Sequence, residues 1–174
     1  MALTAESITN TALDILSRYG LGDLSMRRLA RELEVQPSAL YWHVRDKQAL
    51  FVLISQSLTA EVDTRAPVTA DPLAAVLALR EVLLKYRDGA EILLLGYSVD
   101  AAEATPVALA PERLGRETSH AVMVQTLGAV AIAQNRALFA ASAVEGESAS
   151  TAATEEEAAA DFASTIAFLL SRST

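Results

Sequence analysis

Apolar side chains recur at three- and four-residue spacing along most of this chain, and no β pattern appears, so the sequence predicts an all-α protein. Ile8, Ala12, Ile15, Leu16 and Tyr19 mark a first helix over 4–19, with Thr4 as its cap, Glu6 at its positive end and Gly20 as its stop. Ser25 caps a second helix over 26–33, and Pro37 sits in the first turn of a third over 37–43. Leu40 and Val44, four residues apart, are expected to hold this segment on the core. Asp46 caps a fourth helix running to about Val62, with Ala49, Leu50, Leu53, Ile54 and Leu58 as its apolar stripe. Four helices by residue 62 make one compact unit.

Ala66-Pro67 and Asp71-Pro72 punctuate the next stretch. A leucine- and alanine-rich helix is predicted over 72–87, broken at Asp88-Gly89, then a short helix from Ala90 to about Tyr97. Residues 98–112, with Pro106 and Pro111, read as loop with a helical turn. A long helix over 113–140 is apolar nearly all round (Val122, Met123, Val124, Leu127, Val130, Ile132, Leu138, Phe139), so it should be buried on more than one side. Its small residues Gly128, Ala129 and Ala133 suit close helix packing. Residues 142–154 are low in complexity and are expected to be mobile. A last helix is predicted over 155–171, with Glu155-Glu156-Glu157 at its positive end and Phe162, Ile166, Phe168 and Leu169 as its packing face. One small domain cannot cover the long helix, so it and the last helix should pair with their twins in a homodimer, with Leu127, Phe162, Ile166 and Leu169 at the interface.

Composition narrows the functional classes. Hydrophobic residues make up 52% of the 174 and charged residues 21%, enough for a large core and against disorder. The absence of cysteine excludes disulfides, zinc–thiolate sites and thiol catalysis. No uncharged apolar run reaches about 18 residues and no signal pattern opens the chain, so a cytoplasmic protein without a membrane segment is expected. With two histidines and no cysteine, little remains for nucleophilic or metal chemistry, and no enzyme is expected. The net charge of −8 looks unsuited to a nucleic-acid partner, but it is unevenly spread. Residues 1–60 are neutral, with six basic and six acidic side chains, and all the excess acid lies beyond them. Within 25–47 five basic residues face three acidic ones, a modest basic patch.

That patch coincides with the most informative motif. Met26-Arg27-Arg28-Leu29-Ala30-Arg31-Glu32-Leu33 is followed by a tight turn and then by Pro37-Ser38-Ala39-Leu40-Tyr41-Trp42-His43-Val44-Arg45-Asp46-Lys47. Two short helices with such a tip suit a helix-turn-helix, whose second helix reads base edges in the major groove. Gln36 can pair with adenine, Ala39 can touch a thymine methyl, and Ser38 stands between them. Tyr41, Trp42 and His43 cannot all face inward on so short a helix, so Tyr41 or His43 should reach phosphate, and Lys47 reads as a phosphate clamp. A double-stranded DNA operator is the expected partner.

These residues resemble the TetR family of repressors, and within it the tetracycline-repressor subgroup, which shares the Tyr41-Trp42-His43 triplet. Tyr86-Arg87-Asp88-Gly89-Ala90 and Thr126-Leu127-Gly128-Ala129-Val130 resemble segments of that subgroup's ligand-binding domain, in the same order. The resemblance implies a DNA-binding domain at 1–47, a ligand-binding and dimerisation domain at 48–174, a base contact for Arg27 and a phosphate contact for Arg28. It departs at Glu34, where the family's turn carries glycine; a non-glycine residue at positive φ costs about 1 kcal/mol. It departs again at Ile92-Leu93-Leu94-Leu95 and Ile132, which replace the subgroup's magnesium-site histidine and a glutamate. A small, mainly apolar effector without metal or cofactor is therefore expected. Its pocket should lie between helix 72–87, Ile92–Leu95 and the long helix, touching residues among Arg80, Tyr86, Leu93, Tyr97, His120, Met123, Leu127 and Gln134. Each polar member of that set also reads as a satisfied structural group. The alternative is an effector-independent DNA-binding or scaffold protein whose pocket is closed by side chains.

Overall fold

The computed structural model describes residues 3–142 and 148–172, and all their regular structure is helical. The α-helices are α1 (Ala5–Tyr19), α2 (Met26–Glu32), α3 (Pro37–Tyr41), α4 (Lys47–Arg65), α5 (Pro72–Lys85), α6 (Gly89–Val99), α7 (Pro111–Leu114), α8 (Arg116–Ser142) and α9 (Ser148–Ser171). Short 3-10 turns occupy Leu21–Asp23 and Val107–Leu109. The starts follow local chemistry. Thr4 and Ser7 form a reciprocal capping box, Ser25 Oγ accepts from Arg28 N at 3.2 Å, Asp46 Oδ1 from Ala49 N at 2.8 Å, and Asp71 Oδ1 from Leu73 N at 3.2 Å. Glu34 takes the left-handed conformation at φ 55, as its place in the turn between α2 and α3 demands.

Several boundaries differ from the sequence expectation. The third helix stops at Tyr41, the fourth runs on to Arg65, the fifth ends at Lys85 and the sixth extends to Val99. Proline and glycine cut a separate turn of helix, α7, from the front of the long one, and Gly115 at φ 77 makes the break. α9 begins at Ser148, so 148–154 are helical, and Glu155–Glu157 lie inside the helix where the dipole argument no longer applies. Residues 143–147, within the stretch expected to be mobile, lie outside the described residues.

One apolar cluster runs through the whole fold, from Ile8 in α1 through Leu40, Leu50, Ile54 and Leu58 to Leu79, Ile92, Val122 and Ile166. α4 lies at its centre, packed against α1, α5 and α6. Its approach to α6 is close because Gly96 has no side chain. A Cβ there would stand 1.9 Å from Ser55 Oγ and 3.1 Å from the Phe51 carbonyl. The space expected to be an effector pocket belongs to this core: Leu93 and Met123 are fully buried, and Leu127 is 4% exposed. Phe162 and Ile166, expected at a dimer interface with Leu127, are likewise inside the protomer, and Leu169 is half-buried. α8 buries one face only. On its other face Val124, Ile132 (55% exposed) and Phe139 (70%) reach solvent, as does Phe168 (61%) on α9. The periodicity shows that α8 has apolar surface to spare but not which residues face the protomer's own core.

Two long-range polar contacts fix the helix ends. The Gln134 amide donates to the Leu83 and Tyr86 carbonyls at 3.1 and 2.8 Å and accepts from Ala90 N at 3.2 Å, closing the α5–α6 junction. At that junction Asp88, at φ 56, accepts from Leu21 N through Oδ2 at 2.8 Å, joining the α1–α2 connection to the carboxyl-terminal helices. Gly96→Ala should force α4 and α6 apart and lower stability by about 1–3 kcal/mol. The check is the urea midpoint of the variant, which Ser55→Gly added to it should partly restore.

Candidate nucleic-acid interface and cavities

Leu29, Ala30, Leu40 and Val44 turn inward and hold α2 and α3 on the core, as the spacing requires. That anchoring turns the remaining positions outward. Arg27, Gln36, Ser38, Tyr41, Trp42, His43 and Lys47 are exposed and Ala39 is half-exposed. Trp42 is 90% exposed, an unusual amount of bare indole for a folded chain. Arg31, one turn after Arg27 on the same helix, and Arg45 are also exposed, with only loose carboxylate neighbours at 3.9 Å (Glu32) and 3.6 Å (Asp46). The sequence motif alone distinguishes neither, although the four-residue spacing of Arg27 and Arg31 is the available signal. Lys47 rides over the Phe51 ring, its ammonium 5.4 Å from the centroid, at the positive end of α4.

Arg28 behaves differently from Arg27. Its side chain is only 17% exposed. The guanidinium stacks on Tyr19 at 3.8 Å from the ring centroid and bonds Asp23 Oδ1 at 2.5 Å, with Glu32 at 3.7 Å. An arginine so engaged ties α2 to α1 and its following turn, and it is not presented to a phosphate in this conformation.

The residues expected to bind a ligand fall into separate places. Tyr86 joins a polar cluster with Glu61, Lys85 and Arg65; Lys85 and Arg65 (2.7 Å) pair with the same Glu61 oxygen. Burial first, then the Glu61 charge, raises the Tyr86 pKa. Arg80 lies 5.7 Å over the Phe162 ring, beside a surface hollow between α5, α8 and α9 that Ile132 and Arg136 also line. Gln134 is spent on the α5–α6 junction. Tyr97 and His120 come together: the phenol oxygen lies 3.0 Å from His120 Nδ1, with ring centroids 6.1 Å apart and planes 23° apart. Burial raises the Tyr97 pKa. This pair borders a cavity of about 590 Å³ between the end of α6, residues 101–110, α7 and the start of α8. The sequence reads 98–112 as a connector, which misses Ala101, Ala102, Thr105 and Ala110 as cavity walls; only Pro106 and Pro111 hint at a shaped segment. Among the described residues no group of three or more His, Cys, Asp or Glu side chains could hold a metal ion, and no helix is long and apolar enough to cross a membrane.

Comparison with known proteins places this geometry. Residues 8–54 match the family model for bacterial regulatory proteins of the tetR family. The class A tetracycline repressor from transposon 1721 of Escherichia coli is 38% identical over 96 residues, covering 52% of this chain and 44% of the repressor. The match thus spans less than half the length of that relative. BioQ of Mycobacterium smegmatis superposes with a TM-score of 0.77 at 25% identity, over 99% of this chain and 98% of the other. A BioQ structure with its double-stranded DNA operator gives 0.67 at 29% identity, over 79% and 90%. Streptomyces coelicolor ActR in complex with (S)-DNPA gives 0.58 at 30% identity, over 78% and 74%.

The placement of the two adjacent arginines separates their roles in experiment. Arg28→Ala should lower stability by about 1 kcal/mol, through the lost stacking and ion pair, while changing DNA affinity less than Arg27→Ala does. Paired thermal unfolding and DNA titration of the two variants check this.

Proposed function

Since the chain belongs to the tetR family of bacterial regulatory proteins, we propose that it is a cytoplasmic, homodimeric repressor that binds a palindromic operator and is released by a small, mainly apolar effector. The observation that carries the DNA-binding part is the outward tip of the helix-turn-helix. Gln36, Ser38, Tyr41, Trp42 and His43 stand exposed and Ala39 half-exposed around a helix whose inner residues are already anchored. In this reading Gln36 and Ala39 meet base edges, Arg27 forks to a guanine, and Tyr41, His43, Lys47, Arg31 and Arg45 face phosphates. The operator seen with BioQ supports double-stranded DNA as the partner.

A single copy leaves Val124, Ile132, Phe139 and Phe168 in water, and a two-fold pairing of α8 and α9 would cover them. The pairing also supplies what a nearly neutral module needs, a second recognition helix about 34 Å away on the next major groove. No metal enters the release step, because hard cations need oxygen ligands and Ile92–Leu95 offers none. The closed core around Leu93 and Met123 is the observation that favours the effector-independent reading.

An operator selected from genomic fragments gives the assay. Arg27→Ala should weaken binding by about 1–3 kcal/mol and relax preference at one base pair. Lys47→Ala should weaken all sequences alike and reduce the salt slope by about 1. Failure of the parent chain to retain any sequence would end the DNA-binding reading. For assembly, Phe139→Asp with Phe168→Asp should yield a folded monomer by sedimentation at micromolar concentration. A parent that already sediments as a monomer there would overturn the dimer.

A further inference from the structure

We propose that Asp88 is a positioning residue for operator binding. Its carboxylate clasps the connection between α1 and α2 to the α5–α6 junction, and this attachment sets the separation at which paired recognition helices meet their half-sites. The proposal rests on the regulator reading above, two-fold pairing included, and adds to it a spacing selectivity for the partner DNA. Asp88 occupies the cap position of α6, where an aspartate usually accepts from the amides of its own first turn. Its side chain makes no such bond, and Oδ2 instead accepts from Leu21 N at 2.8 Å, 67 residues away in sequence. The backbone there is left-handed, at φ 56, a conformation that glycine enters with less strain than aspartate. An aspartate kept at such a place, and turned away from its own helix, is there for what its carboxylate reaches. The connection is seated closely on the junction: a Cβ on Gly20 would stand 2.7 Å from Asp88 Oδ2 and 3.1 Å from Arg87 Nε.

Both ends of the clasp are braced. On one side Gln134 of α8 bonds the Leu83 and Tyr86 carbonyls and Ala90 N, so the junction moves with α8, the helix whose bare apolar face suits the partner copy. On the other, the turn Leu21–Asp23 that receives the clasp also supplies Asp23, whose carboxylate holds Arg28 on α2 at 2.5 Å, next to Arg27. This path from the pairing helix to the DNA-binding unit is separate from the packing of α1 on α4. A unit resting on α4 alone can rock about that line of contact, and an attachment off the line removes the rocking. Each base pair between half-sites moves a groove by about 3.4 Å along the duplex and turns it by roughly a tenth of a circle. Rocking is what would let a dimer accept the wrong spacing.

The test uses the full-length chain with four duplexes. They are the operator selected as above, the same operator lengthened or shortened by one base pair between its half-sites, and a single half-site. The parent should prefer the matched spacing at least tenfold. Asp88→Gly eases the backbone and deletes the clasp. It should bind the matched operator at least tenfold more weakly and prefer it less than threefold, with single half-site affinity within twofold of the parent. Its urea midpoint should be no lower than the parent's, and its Leu21 amide should exchange hydrogen at least tenfold faster. Asp88→Asn, which keeps a carbonyl acceptor and tolerates the left-handed backbone, should behave as the parent. A parent indifferent to spacing, a parent-like preference in Asp88→Gly, or an equal loss on the single half-site overturns the proposal. So does a lowered midpoint in Asp88→Gly, which would make the bond a matter of stability, or unchanged Leu21 exchange, which would mean that no clasp forms. A parent that binds no operator at all defeats the regulator reading, and the spacing role falls with it.

Discussion

The close approach of α4 and α6 at Gly96 is the constraint on which the rest of the structure depends. α4 begins at Lys47, beside the exposed tip of the helix-turn-helix, and ends at Arg65, in the polar cluster with Glu61 and Lys85. It therefore belongs to both halves of the chain. Because the helices touch near the Phe51 backbone, neither can slide without moving the other, and close-packed interiors transmit displacement instead of absorbing it. The apolar cluster shared from Ile8 to Ile166 makes the same point on a larger scale. The amino-terminal helices do not hang from a linker; they rest on α4, and the bond from Leu21 N to Asp88 adds a second point of attachment.

Much of this was legible in the sequence, and the legible part is the local part. Thr4, Ser25, Asp46 and Pro37 marked helix starts because capping is decided within three residues of the cap. Glu34 could be assigned a positive φ because the family that the motif resembles carries glycine at that place in the turn. Leu40 on α3 and Val44 just after it separated inside from outside, which in turn exposed Trp42 and His43. What stayed hidden depends on contacts between distant segments. The α8 pattern is apolar all round, so nothing in it distinguished Leu127, which faces its own core, from Ile132, which does not. Gln134 reads as an isolated polar residue until Leu83, Tyr86 and Ala90 are brought to it. The cavity beside Tyr97 and His120 was hidden for the same reason, since its walls come from a segment without periodicity.

On the proposed reading, the charge distribution makes DNA binding sensitive to a small displacement. The net −8 resides beyond residue 60, while the helix-turn-helix region is neutral with a mild excess of base at 25–47. At physiological salt the Debye length is about 8 Å, so acidic groups far from the tip neither help nor strongly hinder a bound duplex. A module with so little bulk charge gains little from non-specific attraction, which scales with the number of phosphates neutralised. Under the proposed function its affinity comes from contacts that require register: Gln36 and Ala39 at base edges, a few cations at phosphates, and a twin set one helical turn away. Contacts of that kind are lost together when the spacing is wrong by an ångström or two. A strongly basic protein would stay on DNA through such a shift, held by charge alone. On the proposed reading the weakness of the electrostatic term makes DNA occupancy depend on geometry, and α4, which begins at Lys47 and packs against α1, is the helix that supports that geometry.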